Sequence, residues 1–144
     1  MPKKFYRSTP IDYAVCQYAD CPLAAKCLHQ LTYQPLLADV TILKLLNPNK
    51  CSKDETCEFF RDSKPVMYAR GFKHFQQQLY PEQYKRFSIR LMGEFGRTGF
   101  YERRRGETAL SPKEQQIVLS VLQEVGATGE FKFSSYEENY NWFD

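Results

Sequence analysis

The chain has 144 residues and is short of the residues that most enzymes need. It carries two histidines, His29 and His74, and a single tryptophan. Two histidines with no orienting motif around them give a cysteine or serine nucleophile no base. No GxSxG, HExxH, phosphate-binding loop or dinucleotide-type glycine pattern occurs. Catalysis has no residues to recommend it, and a non-enzymatic role is expected. No apolar run is long enough to span a bilayer, so no membrane partner is expected. The stretch Met1–Pro10 has lysines but no apolar core, which argues against a secretory signal and for a cytoplasmic protein. Internal repeats and low-complexity segments are also missing.

Apolar and aromatic residues are plentiful, at 42% and 15%. A chain of this composition folds, and its length suits one domain spanning 1–144. Such a domain can bury a core without staples. The net charge of +3 is modest, but its distribution is uneven. Arg70 to Arg105 holds nine Lys/Arg against three Glu, a net of +6. Glu107 to Asp144 holds two Lys against seven Asp/Glu, a net of −5. A basic middle and an acidic end point to a positive face that attracts polyanions. Three regions follow: a cysteine-bearing part over 1–65, a helical part over 66–126 and an acidic aromatic tail over 127–144.

Local signals outline the elements. Residues 1–15 read as an extended arm with Pro2 and Pro10. Asp20-Cys21-Pro22 starts a helix, and Ala24, Cys27, Leu28 and Leu31 continue it at helical spacing. Val40–Leu46 reads as a strand closed by Asn47-Pro48-Asn49. Lys64–Phe72 reads as a second strand, paired with the first as a β-hairpin across the loop Cys51–Cys57. A helix near Lys73–Leu79 stops before Pro81. The next runs from Pro81 to Phe95 with Tyr84, Phe87, Leu91, Met92 and Phe95 on one face, and Gly96 stops it. A short helix from Gly99 to Arg105 follows, with Thr98 available as its N-cap. Ser111-Pro112-Lys113-Glu114 is a capping box with proline at N1. Ile117, Val118, Val121, Leu122 and Val125 form the buried face of that last helix, and Gly126 ends it. In the tail, Phe131, Phe133, Tyr136, Tyr140, Trp142 and Phe143 are too much apolar surface to leave free. The expected class is α+β: a mainly helical C-terminal bundle with a helix-turn-helix-like core, plus an N-terminal helix and β-hairpin bearing the cysteines.

Five cysteines occur, spaced Cys16-x4-Cys21-x5-Cys27 and Cys51-x5-Cys57. Cys21, Cys27, Cys51 and Cys57 could supply four thiolates to zinc or an iron–sulfur cluster. The spacing is not that of compact CxxC knuckles. Residues six apart on one helix are rotated by roughly 600°, or 240° net, so Cys21 and Cys27 share a metal only if Cys21 precedes the helix. Buried free thiols and disulfides stay open beside the metal.

The short basic helix carries the strongest binding signal. Phe100 is its inward residue, and Tyr101, Arg104 and Arg105 share an outer face. Arginine forks take phosphates or guanine edges in bidentate fashion, and tyrosine stacks on bases. DNA or RNA is therefore the expected partner, bound through Arg97, Tyr101, Arg103, Arg104 and Arg105. Lys85, Arg86 and Arg90 would give supporting phosphate contacts. The plain counter-reading is a solvated arginine face with Glu102 and Glu107 as ion partners. Over 84–126 the order helix, turn, short basic helix, glycine, capped helix resembles the phage-repressor (Cro/cI-like) helix-turn-helix.

Several phrases occur together: Cys21-Pro22 with Cys27-Leu28, Asn47-Pro48, Cys57–Arg61, Ala69-Arg70-Gly71-Phe72, Tyr101–Glu107, Ser111–Gln115 and Tyr140-Asn141-Trp142. Together they resemble a small uncharacterised bacterial family, a domain of unknown function. That resemblance implies one integrated domain and no activity. The alternative to nucleic-acid binding is an interaction or structural module whose acidic aromatic tail docks a protein partner. In that case Glu130, Glu137 and Glu138 would cover the arginines. Oligomeric state is not set by any of these features.

Overall fold

A computed structural model describes residues 9–10, 12–52 and 54–142. Its class is α+β. The chain divides into two compact units: the residues before Val66 with the segment after Glu138, and Val66–Glu138.

The second unit contains strand β1 (Val66–Arg70), a 3-10 turn (Lys73–Gln78), two helices and all but the last residue of strand β2 (Ser135–Asn139). The first of these helices, α3, spans Pro81–Arg105, and α4 spans Pro112–Glu124. (Helices α1 and α2 belong to the first unit.) At the start of α3 the Gln83 side chain accepts from the Tyr80 N–H at 2.9 Å. The expected stop at Gly96 is met in part: its φ of 77° and ψ of 165° are not helical, so α3 consists of two helical arms joined across a kink there. Glycine adopts that φ without the steric cost a Cβ would bring. Gly106, also at positive φ, closes α3, and the Glu107 N–H reaches back to the Glu102 carbonyl at 2.9 Å. That bond satisfies one of the carbonyls orphaned at a helix end. Gly126 does the same after α4, where the Ala127 N–H bonds the Leu122 carbonyl at 3.0 Å.

Ser111 caps α4 as expected. Its Oγ accepts from the Glu114 N–H at 3.3 Å, and the Glu114 Oε1 accepts from the Ser111 N–H at 3.1 Å. Phe87 and Leu91 of α3 and Val118, Val121 and Leu122 of α4 are buried, with Tyr84, Met92, Phe95 and Ile117 packed at the margin. Phe72 lies at the centre of the aromatic packing. Its ring lies 5.7 to 6.3 Å from those of Phe75, Phe87, Phe100 and Phe133.

In the first unit a 3-10 turn (Ala24–Lys26) leads to helix α1 (Leu28–Leu31) and then α2 (Tyr33–Asp39). Tyr13, Leu28, Tyr140 and Trp142 form its buried cluster. Tyr13 stacks on His29 at 4.9 Å and meets the Trp142 ring edge-on at 5.0 Å.

Several expectations need correction. The helix expected to run unbroken to Leu31 is interrupted at Cys27, whose backbone is extended. The cause is an isolated antiparallel bridge between Cys27 and Asp62, in which the Leu28 N–H bonds the Arg61 carbonyl at 2.8 Å. Val40–Leu46 is not a strand. Leu45 makes only an isolated parallel bridge with Val15, while Ile42 is 85% exposed. β-branched residues alone do not hold a strand without a partner and a buried face. The expected hairpin is therefore not formed. β1 pairs with β2 in an antiparallel two-stranded sheet, and Ala69 bridges Leu110. Thr98 is not an N-cap, because it lies inside α3. Of the expected extended arm, residues 1–8 and 11 lie outside the described residues, as does Phe143 in the tail.

Candidate functional site

Three arginines occupy the last turn of α3. Cations are favoured there because the unpaired carbonyls leave partial negative charge at a helix C-terminus. The structure gives each a different task. Arg103 is bound inward: its fork donates to Glu114 Oε2 at 2.8 and 3.1 Å, and its Nη1 donates to the Gly99 carbonyl at 3.2 Å. Its guanidinium also lies 4.5 Å from the centre of the Phe95 ring. Arg105 is paired with Glu107 at 3.0 Å. That hydrogen bond, with the Arg105 and Lys73 charges, holds the Glu107 carboxyl below its ordinary value. Arg104 has no ion pair among the described residues. It donates to the neutral Gln76 side chain at 3.0 Å, and its buried Nε–H has no acceptor there.

Arg104 and Arg105 open onto a cavity of about 230 Å³ whose other cations are Arg70 and Lys73. Gly71, Gly106, Ser134 and Ser135 complete the wall. Arg70 is anchored by Glu137 at 2.8 Å and by the carbonyls of Gly106 and Glu107 at 2.9 and 3.0 Å. Two of the four cations are thus neutralised locally. Arg104 and the exposed Lys73 form no ion pair among the described residues, although Lys73 acts on Glu107 at longer range. Gly71 has φ +80°, and a Cβ there would meet Ser134 Oγ at 2.9 Å. Glycine is what lets the end of β1 pass this close to the chain before β2.

The other expected contacts are scattered. Arg86 donates to the Val125 carbonyl at 3.1 Å, so it closes the end of α4. Arg90 is held by Glu124 at 3.1 Å and Glu94 at 3.4 Å. Lys85 and Arg97 are exposed and belong to no ion pair among the described residues. Tyr101 was expected on an outer face with Arg104 and Arg105. It is half-buried, packed against the core and 5.1 Å from the Phe100 ring. Glu102, expected as an arginine partner, accepts from the Thr108 hydroxyl at 3.2 Å. Arg70 and Lys73 were missed as site residues. Only their place in the basic middle of the chain could have signalled them.

Among the described residues, the tail meets the basic cavity through Ser134 and Ser135, and none of Glu130, Glu137 and Glu138 forms an ion pair with Arg103, Arg104 or Arg105. Glu137 binds Arg70 and Glu130 binds Lys132. Phe133, Tyr140 and Trp142 are spent on buried packing, which leaves Tyr136 as the exposed aromatic of the described tail.

The cysteines are all free, and all five line one small cavity of the first unit. Cys21 precedes the 3-10 turn and Cys27 follows it, so the objection from helical rotation does not arise. Cys51 and Cys57 stand with their sulfurs 3.9 Å apart. Burial pushes the Cys57 thiol up, and the neighbouring Cys51 adds to it. Among the described residues, no group of three or more His, Cys, Asp or Glu stands so that it could hold a metal ion.

A family model matches residues 1–142, and the chain belongs to that family, a family of unknown function (DUF6078). No curated protein and no solved structure matches the chain. The phage-repressor resemblance finds no support in these comparisons. The two arms of α3 meet at Gly96 with no turn segment between them. No helix among the described residues is long and apolar enough to cross a membrane.

Proposed function

We infer that this chain binds nucleic acid through backbone phosphates taken into the Arg70–Lys73–Arg104–Arg105 cavity. The observation that carries the reading is Arg104, a cation beside the cavity whose side-chain partner among the described residues is the neutral Gln76. The outer nitrogens of such a guanidinium give phosphate charge-assisted bonds. Lys73, exposed and in no ion pair among the described residues, supplies a second cation, although its charge also acts on Glu107. The cavity walls offer hydroxyls from Ser134 and Ser135. Arg70 and Arg105 are held by carboxylates and act as a fixed frame. Lys85 and Arg97 add long-range attraction. Arg103 stands outside this set because Glu114 holds it. The backbone carries the affinity, so little preference between sequences is expected.

Fluorescence anisotropy with labelled single-stranded and duplex DNA and RNA, at low salt, tests the reading. Arg104→Ala and Lys73→Ala should each weaken binding about tenfold, the loss of one charge-assisted contact. Arg97→Ala should weaken it less. No binding to any of the four probes, or binding indifferent to Arg104 and Lys73, would overturn the reading.

A further inference from the structure

The chain has five cysteines, and the fold brings all of them to one cavity of about 20 Å³. They arrive from separate places: Cys16 beside the isolated bridge at Val15, Cys21 and Cys27 on either side of a 3-10 turn, and Cys51 and Cys57 from a later loop. Random burial of thiols does not gather every cysteine of a chain around one void. The volume is informative as well. It exceeds the roughly 10–15 Å³ needed for one water-sized guest.

The closest pair stands at a separation that fits a thiol–thiol hydrogen bond and also shared zinc ligation. Zinc binds thiolate at about 2.3 Å in a tetrahedron, which places neighbouring sulfurs about 3.8 Å apart. Cys51 and Cys57 stand 3.9 Å apart. The remaining wall is mostly apolar, with Leu23, Ala24, Leu46, Phe59 and Phe60, and holds Tyr18 and Gln30 as its oxygen-bearing side chains. A mostly apolar wall suits a closed structural site.

We propose that Cys51 and Cys57 are two ligands of a structural zinc site, completed by two of Cys16, Cys21 and Cys27. The three other thiols line the same void but are not yet gathered into a ligand set. Zinc draws them in by side-chain rotation, and each thiol gives up its proton as it ligates. The fifth cysteine stays a protonated thiol in the wall.

The test uses the full chain, reduced, stripped with chelator and titrated with Co(II) and then Zn(II). Co(II) should give the d–d absorption of a tetrahedral site and a thiolate charge-transfer band, saturating at about one ion per chain. Zn(II) should displace it. Alkylation followed by mass spectrometry should then find four cysteines protected in the zinc form, Cys51 and Cys57 among them, and one modified. Cys57→Ser should lower the zinc affinity by more than about a hundredfold, since losing a direct ligand exceeds the effect of losing an outer-shell partner. If Cys57→Ser does not fold, the alkylation pattern of the unmutated chain decides the matter. Five cysteines modified alike with and without zinc, no tetrahedral Co(II) spectrum, or protection that omits Cys51 and Cys57 would overturn the proposal. So would purified protein carrying an iron chromophore in place of zinc.

Discussion

Replacing Glu114 with glutamine separates two jobs that one carboxylate performs. Its Oε1 completes the α4 cap by accepting from Ser111, and its Oε2 takes the Arg103 fork at 2.8 and 3.1 Å. Glutamine keeps a cap acceptor, as in other capping boxes, but removes the charge. The side chains of Arg103 and Glu114 are only 18% and 24% exposed. A hydrogen bond to a charged group contributes about 1.5–3 kcal/mol when well shielded, whereas an exposed ion pair contributes about 0–1 kcal/mol. An intermediate loss of about 1–2 kcal/mol is expected for Glu114→Gln, or a fall in Tm of about 3–8 °C for a chain of this size. Arg103→Met keeps an apolar stem over Phe95 and should lose a similar amount. The double variant should lose less than the sum, with a coupling of about 1 kcal/mol. Urea melts followed by far-UV circular dichroism report on α3 and α4, the longest helices. Single-variant losses within about 0.3 kcal/mol, or a coupling near zero, would refute a structural role for Arg103, because that is the scatter of independent sites.

Three further outcomes follow from the packing and the charges. Phe72→Ala should cost about 3–5 kcal/mol in the same melts, since its ring is buried and touches four other aromatics. Gly71→Ala should cost about 1–2 kcal/mol for the positive φ alone, and its Cβ would also crowd Ser134 beside the basic cavity. Burial lowers the pKa of His29 from its ordinary 6.5 and the Arg61 charge adds to this, although the Ala14 carbonyl, 2.6 Å from Nδ1, opposes it. The unfolded chain therefore binds a proton below pH 6.5 that the folded chain resists. Stability should fall as pH drops from 6.5 towards the lowered folded value and should stay flat above it. His29→Gln should flatten that profile in Trp142 fluorescence melts.

The elements read correctly from the sequence are those fixed by neighbours in the chain. The α3 and α4 stripes, the Ser111–Glu114 box and the stops at Gly106 and Gly126 depend on residues within a turn or two. The strand partners were not legible in this way. β1 pairs with a segment beginning at Ser135, and no local pattern announces so distant a neighbour. Val40–Leu46 has strand-like residues, but the fold leaves Val40 and Ile42 exposed. The same distinction holds in the candidate site. The arginine run was visible, yet the partners that divide its labour are Glu114, Gln76 and Lys73, set by tertiary packing. Cys16 was likewise left out of the ligand candidates because its spacing says nothing of the cavity it shares.

The most direct measurement of nucleic-acid binding at the basic cavity is the salt dependence of affinity, compared between the unmodified chain and Lys73→Ala/Arg104→Ala. Each phosphate neutralised releases counterion, so the log–log slope counts contacts at about 0.9 per contact on duplex and about 0.7 on a single strand. Removing two contacts should flatten the slope by about 1.8 on duplex DNA, or about 1.4 on a single strand, with the fold unchanged by circular dichroism. An identical slope in the variant, or no measurable binding by the unmodified chain at the lowest salt, would contradict the account.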